Sequence, residues 1–278
     1  MEVIETMIDY DSLIEKYKKL GVNINDLPKR EMIKSEEDIK AIKKAAVVNN
    51  AVLDEVAKHI KAGMSTEEIN TIVHNKTIEM GGIPAPLNYE GFPKSVCTSI
   101  NDMVCHGIPC TNDILKDGDI INVDCTTIVD GHYADASRMF MIGNVDPEMK
   151  RLVEVTKKSL DMAVENLKPF SRLRDIGYII EKYVKSQGFS VVHEIGGHGV
   201  GNDFHEDPFV FHYGKKGTGM VLFPGMVITI EPMVNEGSRH VFLDADNNWT
   251  IYTEDGGWSA QWEYTIWIKE DGVEIIAH

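Results

Sequence analysis

The sequence predicts an α+β fold in which the order helix, helix, strands occurs twice. Helix-start signals come in two pairs, and a strand-rich region follows each pair, the first to about Ile142 and the second to Ile276. In addition, no low-complexity tract or long Gly/Ser linker divides the 278 residues. We therefore expect a duplicated architecture in which helices and strands are combined twice.

Each of the four main helices is predicted from a start signal, an apolar stripe and a stop signal. Ser35 with Asp38, and Ser65 with Glu68, have the three-residue spacing of a capping box, which satisfies free N–H groups at a helix N-terminus. Proline just inside a helix and glycine just after it mark further boundaries. The expected helices begin at Ser35, run from Ser65 to Gly81-Gly82, run from Asp146-Pro147 to just before Pro169, and run from Leu173 to Gln187.

Residues 1–31 are expected to form an N-terminal extension with one short helix, ahead of a single domain over residues 32–278. Ser12 with Glu15 has the spacing of a capping box, and Gly21 ends the pattern. The apolar stripe between these signals consists of Leu13, Ile14, Tyr17 and Leu20. Two interpretations of the extension stay open: a helix that covers part of the surface, or a docking element for a partner.

Charge and hydropathy exclude several classes of protein. Lys and Arg number 28 and Asp and Glu number 44, so the formal net charge is −16, and basic residues occur at most as adjacent pairs. Because phosphate binding depends on clustered Lys and Arg, no direct nucleic-acid contact is expected. No apolar run approaches the ~18 residues that span a bilayer, and the first five residues lack signal-peptide features. We expect a cytoplasmic protein without a membrane segment.

A predicted β-hairpin places two aspartates on one face. Asp130-Gly131 is a two-residue turn signal between β-rich runs, and this turn sets Asp135 opposite Thr126. Side chains alternate along a strand, so Asp124 and Asp135 become diagonal neighbours within reach of one cation. Two exposed strand carboxylates are the simpler alternative. However, carboxylates on an apolar sheet face are costly unless their charge is compensated.

Further polar residues appear in a glycine-rich loop and in two apolar strands. His198 and His205 flank the loop Gly199-Val200-Gly201, where glycine lets backbone approach a site closely. Glu231 and Glu263 each lie in a β-rich run, where a single glutamate is weak evidence for a functional site. Together with the two aspartates they would form four carboxylates around one space, which would repel each other without cations. Two divalent ions are the natural compensation.

These motifs resemble those of the type I methionine aminopeptidases. The resemblance covers about residues 32–270, and it implies the pita-bread fold of the creatinase and aminopeptidase group, a pseudo-twofold repeat around a curved antiparallel sheet. By resemblance, two divalent ions (Co, Mn, Fe or Zn) are bound by Asp124, Asp135, His198, Glu231 and Glu263. The motifs that carry the resemblance are Ser99 to Pro109, the Asp124/Asp135 hairpin, Gly197 to Gly201 with His205, Ile230 to Met233, and Ser259 to Glu263.

The resemblance implies an activity and roles for individual residues. Such enzymes remove the initiator methionine from nascent polypeptides with a small second residue, through a hydroxide bridged by the two metal ions. Glu231 would be both ligand and proton carrier, His205 would stabilise the oxyanion, and His106 would hold the scissile amide. By similarity, the methionine pocket would be lined by Tyr89, Phe92, Cys97, Phe204 and Trp249, together with His106 and His205. A thioether prefers aromatic and sulfur neighbours.

Other readings stay open beside this one. A relative of the same fold that cleaves before proline is the alternative enzyme, and a metal-free binding module is the alternative of another class. The gap between His205 and Glu231 leaves no room for the helical insertion of type II enzymes, which favours type I. Tyr264 follows Glu263 where many bacterial members carry histidine, so the surroundings of that ligand are expected to differ.

We expect a monomer whose partners are nascent peptide N-termini, with transient docking to the ribosome as one role for the extension.

Overall fold

A computed structural model describes residues 9–278 as five α-helices and fifteen short or medium strands. After α1, the order helix, helix, strands occurs twice, as the sequence predicts: α2 and α3 precede β1–β5, and α4 and α5 precede β6–β15. The helices are α1 (Tyr10–Lys19), α2 (Glu36–His59), α3 (Thr66–Glu79), α4 (Pro147–Asn166) and α5 (Leu173–Ser186).

The strands form four sheets, all of whose pairings are antiparallel. A four-stranded sheet contains β1-β4-β2 with β5 beside β4, and a five-stranded sheet has the order β15-β14-β9-β7-β8. The smaller sheets have the orders β13-β10-β6 and β11-β12-β3. The strands are β1 (Ile83–Pro84), β2 (Cys97–Ile100), β3 (Met103–Cys105), β4 (Ile120–Val129), β5 (His132–Met141), β6 (Ser190–Val191), β7 (Gly197–Gly199), β8 (Glu206–Val210), β9 (Val227–Ile230), β10 (Met233–Asn235), β11 (Val241–Leu243), β12 (Ile251–Thr253), β13 (Ser259–Gln261), β14 (Tyr264–Ile268) and β15 (Val273–Ala277).

The β4–β5 hairpin has the register that its turn predicts. Val129 pairs with His132 across Asp130-Gly131, and Thr126 pairs with Asp135. Both turn residues adopt positive φ, 51° and 79°, which Asp and Gly tolerate best. A slip by one residue would turn the aspartates to the opposite face, so the turn chemistry directly sets the side-chain arrangement of the site.

The start signals of α2 and α3 are confirmed. Ser35 and Asp38 form a reciprocal capping box, as do Ser65 and Glu68. The prediction for α1 is wrong in one respect, since Asp9 rather than Ser12 is its N-cap and accepts a hydrogen bond from the Ser12 backbone N–H. Aspartate is as good an N-cap as serine, and its position adds almost a full turn to the helix.

Two hydrophobic clusters match the two repeats. One lies between α2, α3 and the β4–β5 hairpin, and the other lies between α4, α5 and the strands of the second half. The outer strand of the five-stranded sheet, β15, contributes Ile276 to the first cluster. Each fully buried aliphatic side chain contributes roughly 1.5–3 kcal/mol, so both halves are held chiefly by apolar burial. Among residues 9–278, no helix is long and apolar enough to cross a membrane.

The N-terminal extension packs on the second half of the chain. Ile14, Leu27 and Met32 belong to the second cluster. The Tyr17 ring stacks on Phe170 and lies tilted against Phe223, with ring centroids 5.8 and 5.4 Å apart. Leu20, expected in the apolar stripe, is 68% exposed. Residues 1–8 lie outside the described residues. The boundary between residues 31 and 32 stays a prediction.

Candidate metal centre

Strands β5 and β7 and the residue just before β14 bring three of the expected metal ligands together. Ligand atoms of Asp135, His198 and Glu263 all lie within 4.8 Å of one another. Glu263 is 1% exposed and its backbone is bridged to Ser137, so the loop after β13 is pinned to β5. The carboxyl group of Asp124 adjoins that of Glu263 and adds the third acidic group.

Glu231 adds the fourth acidic group, next to His198. Nε2 of His198 lies 3.7 Å from a carboxylate oxygen of Asp135 and 3.7 Å from one of Glu231. Nδ1 of His198 lies 2.9 Å from the carbonyl oxygen of Gly199, so it carries the proton and donates it there. Nε2 therefore offers its lone pair to the space between the carboxylates, which is the tautomer that a metal ligand requires.

Buried hydroxyl and amide groups fix the orientation of these carboxylates. The Thr126 hydroxyl donates to Asp135 over 2.8 Å. Thr229 and Gln261 donate to the two oxygens of Glu231 over 2.8 and 3.1 Å. The alternation of side chains in the sequence indicates that Thr126 and Thr229 share a face with a ligand. It does not identify Gln261 as a partner of Glu231, because the two belong to different strands.

Burial makes the ionised forms of the carboxylates costly. Burial raises the pKa of Asp124 to about 7, and burial with the nearby Asp124 charge raises the pKa of Glu231 to about 8. Burial and neighbouring carboxylates raise the pKa values of Asp135 and Glu263 well above their ordinary range. Four acids in one space therefore retain protons at neutral pH unless positive charge enters.

The residues present fit two divalent cations. Within residues 9–278, no lysine or arginine lies within ion-pair distance of the four carboxylates, whose nearest such partner is His198. Burial lowers the pKa of His198 to about 3, so this imidazole is neutral and cannot balance them. Carboxylates with one imidazole suit Mn, Fe, Co or Zn by ligand type. Divalent ions would supply the missing charge and would displace the protons.

Two further histidines, predicted as catalytic, lie beside this cluster. The ring centroids of His205 and His198 are 4.4 Å apart. His106 adopts a positive φ of 55°, and burial lowers its pKa to about 4; burial also lowers the pKa of His205. Gly107 after it must be glycine, because a Cβ there would lie 2.0 Å from the carbonyl oxygen of Thr98.

The predicted pocket residues form two aromatic groups next to these histidines. Tyr89, Phe204 and His205 form one group, with centroid distances of 4.7 Å for Tyr89–Phe204 and 4.2 Å for Phe204–His205. Phe92 contacts Trp249 edge-on at 5.2 Å, and Trp249 lies 6.3 Å from the His106 ring. The structure thus places Trp249, in a polar loop whose path the sequence does not indicate, beside a predicted catalytic residue.

Cys97, the remaining predicted pocket residue, lies next to the acidic cluster. It pairs with Asp124 across β2 and β4. Burial and the Asp124 charge raise the pKa of its thiol well above the ordinary value, so the thiol stays protonated and behaves as a small apolar group. All four cysteines are free thiols in the structure.

Sequence reasoning missed His212, which is 1% exposed. Its Nε2 accepts the backbone N–H of Glu231 over 3.1 Å. A lone histidine between Phe211 and Tyr213 gives no signal for this role. The Tyr264 hydroxyl lies 2.7 Å from Lys157 Nζ and 3.0 Å from Asp161. The expected difference from the bacterial members at this position stays a prediction.

Comparison with known proteins connects this geometry to a family. The model of metallopeptidase family M24 matches residues 40–270. Methionine aminopeptidase A of Synechocystis sp. is 47% identical over 242 residues, which are 87% of this chain and 95% of that protein. The methionine aminopeptidase of Escherichia coli is 45% identical over 245 residues, 88% of this chain and 92% of that protein.

Solved structures agree with this assignment. Methionine aminopeptidase from Rickettsia prowazekii superposes with a TM-score of 0.87 at 43% identity, over 88% of this chain and 99% of that one. Prolidase from Pyrococcus furiosus gives 0.71 at 20% identity, over 99% of this chain and 74% of that one, which shows the shared pita-bread fold alone. The expected fold is therefore confirmed, and the chain belongs to metallopeptidase family M24, among its methionine aminopeptidases.

Proposed function

We propose that this aminopeptidase is a type I enzyme that removes the initiator methionine from nascent polypeptides whose second residue is small. The proposal is carried by one observation. The cluster of Asp135, His198 and Glu263, whose carboxylates are buried and whose ligand atoms lie within 4.8 Å of one another, lies beside the aromatic residues and His205. A charged, hydrolytic centre and an apolar pocket next to each other suit cleavage after a methionine side chain.

Asp124, Asp135, His198, Glu231 and Glu263 would hold the two ions. When bound, divalent ions would supply an activated water nucleophile at neutral pH and would polarise the scissile carbonyl. Glu231 would also carry a proton, from the attacking water to the leaving amine. Thr229 and Gln261 support this role, because each fixes one oxygen of Glu231 and leaves its carboxylate in a defined orientation.

The two neutral histidines would act on the substrate itself. His205 would stabilise the developing negative charge on the scissile carbonyl oxygen, and His106 would hold the scissile amide. Nδ1 of His205 lies 2.9 Å from the Tyr89 hydroxyl. If this hydroxyl donates, the ring proton of His205 is on Nε2, where it can be offered to an oxyanion.

The methionine side chain would occupy the space bordered by Tyr89, Phe92, Cys97, Phe204 and Trp249. Phe92 is 2% exposed and fixed against Trp249, so this wall is formed before substrate binds. Sulfur next to aromatic ring edges gains roughly 0.3–1.5 kcal/mol per contact, which favours methionine over an isosteric aliphatic side chain.

Cleavage before proline is the alternative, and the structural likeness to a prolidase supports only the shared fold. The test compares hydrolysis of Met-Gly-Met, Met-Leu-Met and Ala-Pro by enzyme loaded with Mn²⁺ and, separately, Co²⁺. We expect Met-Gly-Met to exceed the other two by at least a hundredfold in kcat/KM. A preference for Ala-Pro would replace the proposed activity, and equal rates on Gly and Leu would remove the restriction to small second residues.

We further propose that the enzyme is a cytoplasmic monomer that acts where new chains leave the ribosome. The extension within residues 1–31 is the candidate for transient ribosome contact, although its packing through Ile14 and Tyr17 fits a surface-covering helix equally. Pelleting with 70S ribosomes of full-length protein and of a variant lacking residues 1–8 tests this. Equal pelleting of both would assign ribosome contact to α1 or to another surface. If neither pellets, the proposal of ribosome contact fails.

A further inference from the structure

A buried ion pair connects Lys34, three residues after the N-terminal extension, to the loop that carries His205. The ammonium group of Lys34 contacts Oε2 of Glu206, and the two side chains are 1% and 15% exposed. Among residues 9–278, every other lysine in an ion pair has a side chain at least 25% exposed. A lysine is almost never buried unless paired, so this residue is held in place for its partner.

The other oxygen of Glu206 closes the loop itself. Oε1 accepts the backbone N–H groups of Asn202 and Asp203 over 2.7 and 2.9 Å. With the ammonium group of Lys34, the carboxylate therefore has three donors, which leaves it a single arrangement. Phe204 and His205 lie between the donors and the acceptor, so their backbone is enclosed by these bonds.

The carbon chain of Lys34 supports the start of the same loop. Gly201 has a φ of +140°, and a Cβ there would lie 2.5 Å from Cδ1 of Ile42 and 3.3 Å from Cε of Lys34. The backbone N–H of Lys34 donates to the carbonyl oxygen of Gly225 over 2.9 Å. Lys34 is thus fixed at both ends, at its backbone near β9 and at its ammonium group in the loop.

From this geometry we infer that Lys34 is a positioning residue that acts through Glu206 to hold the loop of residues 201–206, and with it the imidazole of His205, at the catalytic centre. The inference rests on the proposed role of His205. Without the ammonium group, the Glu206 carboxylate turns towards water and releases the two loop N–H groups. The loop then samples other conformations, and His205 loses its placement relative to His198.

The test is a double-mutant cycle on the metal-loaded enzyme with Met-Gly-Met as substrate. We expect Lys34→Met to lower kcat at least tenfold in the parent enzyme and less than twofold in the His205→Ala background, with KM and metal content within twofold throughout. Additive losses in the two backgrounds would overturn the inference, because a general structural defect would act regardless of His205. Lys29→Met is the matched control, because Lys29 forms an exposed ion pair with Asp207, the residue after Glu206. This variant should change kcat less than twofold.

Amide hydrogen exchange separates this inference from the proposed role of His205. In Lys34→Met we expect exchange at Asn202 and Asp203 at least tenfold faster than in the parent, and unchanged exchange there overturns the inference. If His205→Ala leaves kcat intact, the proposed catalytic role of His205 fails, and the exchange result alone judges Lys34. If Lys34→Met does not fold, the double variant Lys34→Met/Glu206→Gln, which removes both charges, replaces it. The same mutant cycle and the same exchange experiment are then carried out, with the same expected results.

Discussion

Nδ1 of His205 lies 2.9 Å from the hydroxyl oxygen of Tyr89, 116 residues earlier in the chain. Tyr89 belongs to the first half of the fold, before β2, and His205 to the second, between β7 and β8. The relationship therefore joins the two repeats at the site. It also gives the Tyr89 hydroxyl a function that a pocket wall alone would not need.

Tyr89→Phe tests that hydroxyl. Without it, the neutral imidazole of His205 is free to move its proton to Nδ1, and we expect kcat to fall about tenfold, a loss of ~1.4 kcal/mol in transition-state stabilisation, with KM nearly unchanged. Steady-state kinetics on Met-Gly-Met measures this. Tyr133→Phe is the control, since Tyr133 stacks on Phe204 through its ring at 6.1 Å. A similar loss in both variants would point to ring packing instead.

Asp135→Asn removes one buried charge from the metal cluster without changing its shape. We expect metal content to fall below half of the parent value and activity to fall at least a hundredfold, because an amide oxygen is a weaker ligand than a carboxylate. Elemental analysis after purification measures the metal content, and hydrolysis of Met-Gly-Met measures the activity. Asp130→Asn, at the exposed turn of the same hairpin, should retain metal and activity. Full turnover by Asp135→Asn at limiting metal would remove Asp135 from the ligand set.

The stability of the metal-free protein should fall as pH rises from about 6.5 to 8, above the range in which His106 and His198, with pKa values lowered from 6.5 to about 4 and about 3, contribute the opposite slope. The pKa values of Asp124 and Glu231 are raised to about 7 and about 8 from ordinary values of 3.8 and 4.5, so the folded state binds protons more tightly than the unfolded state does. The free energy of unfolding then decreases by up to ~1.4 kcal/mol per pH unit for each group in this window. Urea unfolding of chelator-treated protein at several pH values measures it.

The same experiment with saturating Mn²⁺ supplies the contrast. Cations replace the protons, so we expect the loss between pH 6.5 and 8 to disappear or reverse, since metal binding strengthens as ligands deprotonate. A metal-free protein whose stability is flat or rises over this range would mean that the carboxylates are ionised and balanced by other groups.

His106→Ala should lower kcat about a hundredfold while metal content stays within twofold, because the imidazole is expected to touch substrate and not the ions. His106 has a φ of 55°, which asparagine tolerates better than alanine. His106→Asn therefore serves as the companion variant that preserves the backbone. Equal loss of metal and of activity in both variants would move His106 into the ligand set.

Trp249→Ala should raise KM for Met-Gly-Met about tenfold and change kcat less than threefold. The Trp249 ring forms T-shaped contacts with Phe92 and His106 and is only half-buried. Its removal is therefore expected to weaken methionine binding more than it lowers the free energy of unfolding. Kinetics with Met-Gly-Met and thermal unfolding together separate the two effects. Unchanged KM would exclude Trp249 from the methionine pocket.

The sequence by itself determines the local elements and the face on which key side chains lie. Capping boxes placed α2 and α3, and the Asp130-Gly131 turn set Asp124 and Asp135 on one side of the hairpin, because hydrogen bonds within four residues and the two-residue period of a strand are local properties. The fold and the five expected ligand residues were implied by resemblance, and the structure brings these five residues together.

Only the tertiary structure decided the contacts between distant segments. Lys34 with Glu206, Gln261 with Glu231, and the His212 nitrogen on the Glu231 N–H join residues whose separation carries no periodic signal. Even the N-cap of α1 shifted to Asp9, since two acceptable caps three residues apart look alike in sequence. Such contacts depend on which buried polar groups lack a partner once the two halves have packed, and that is a property of the assembled core.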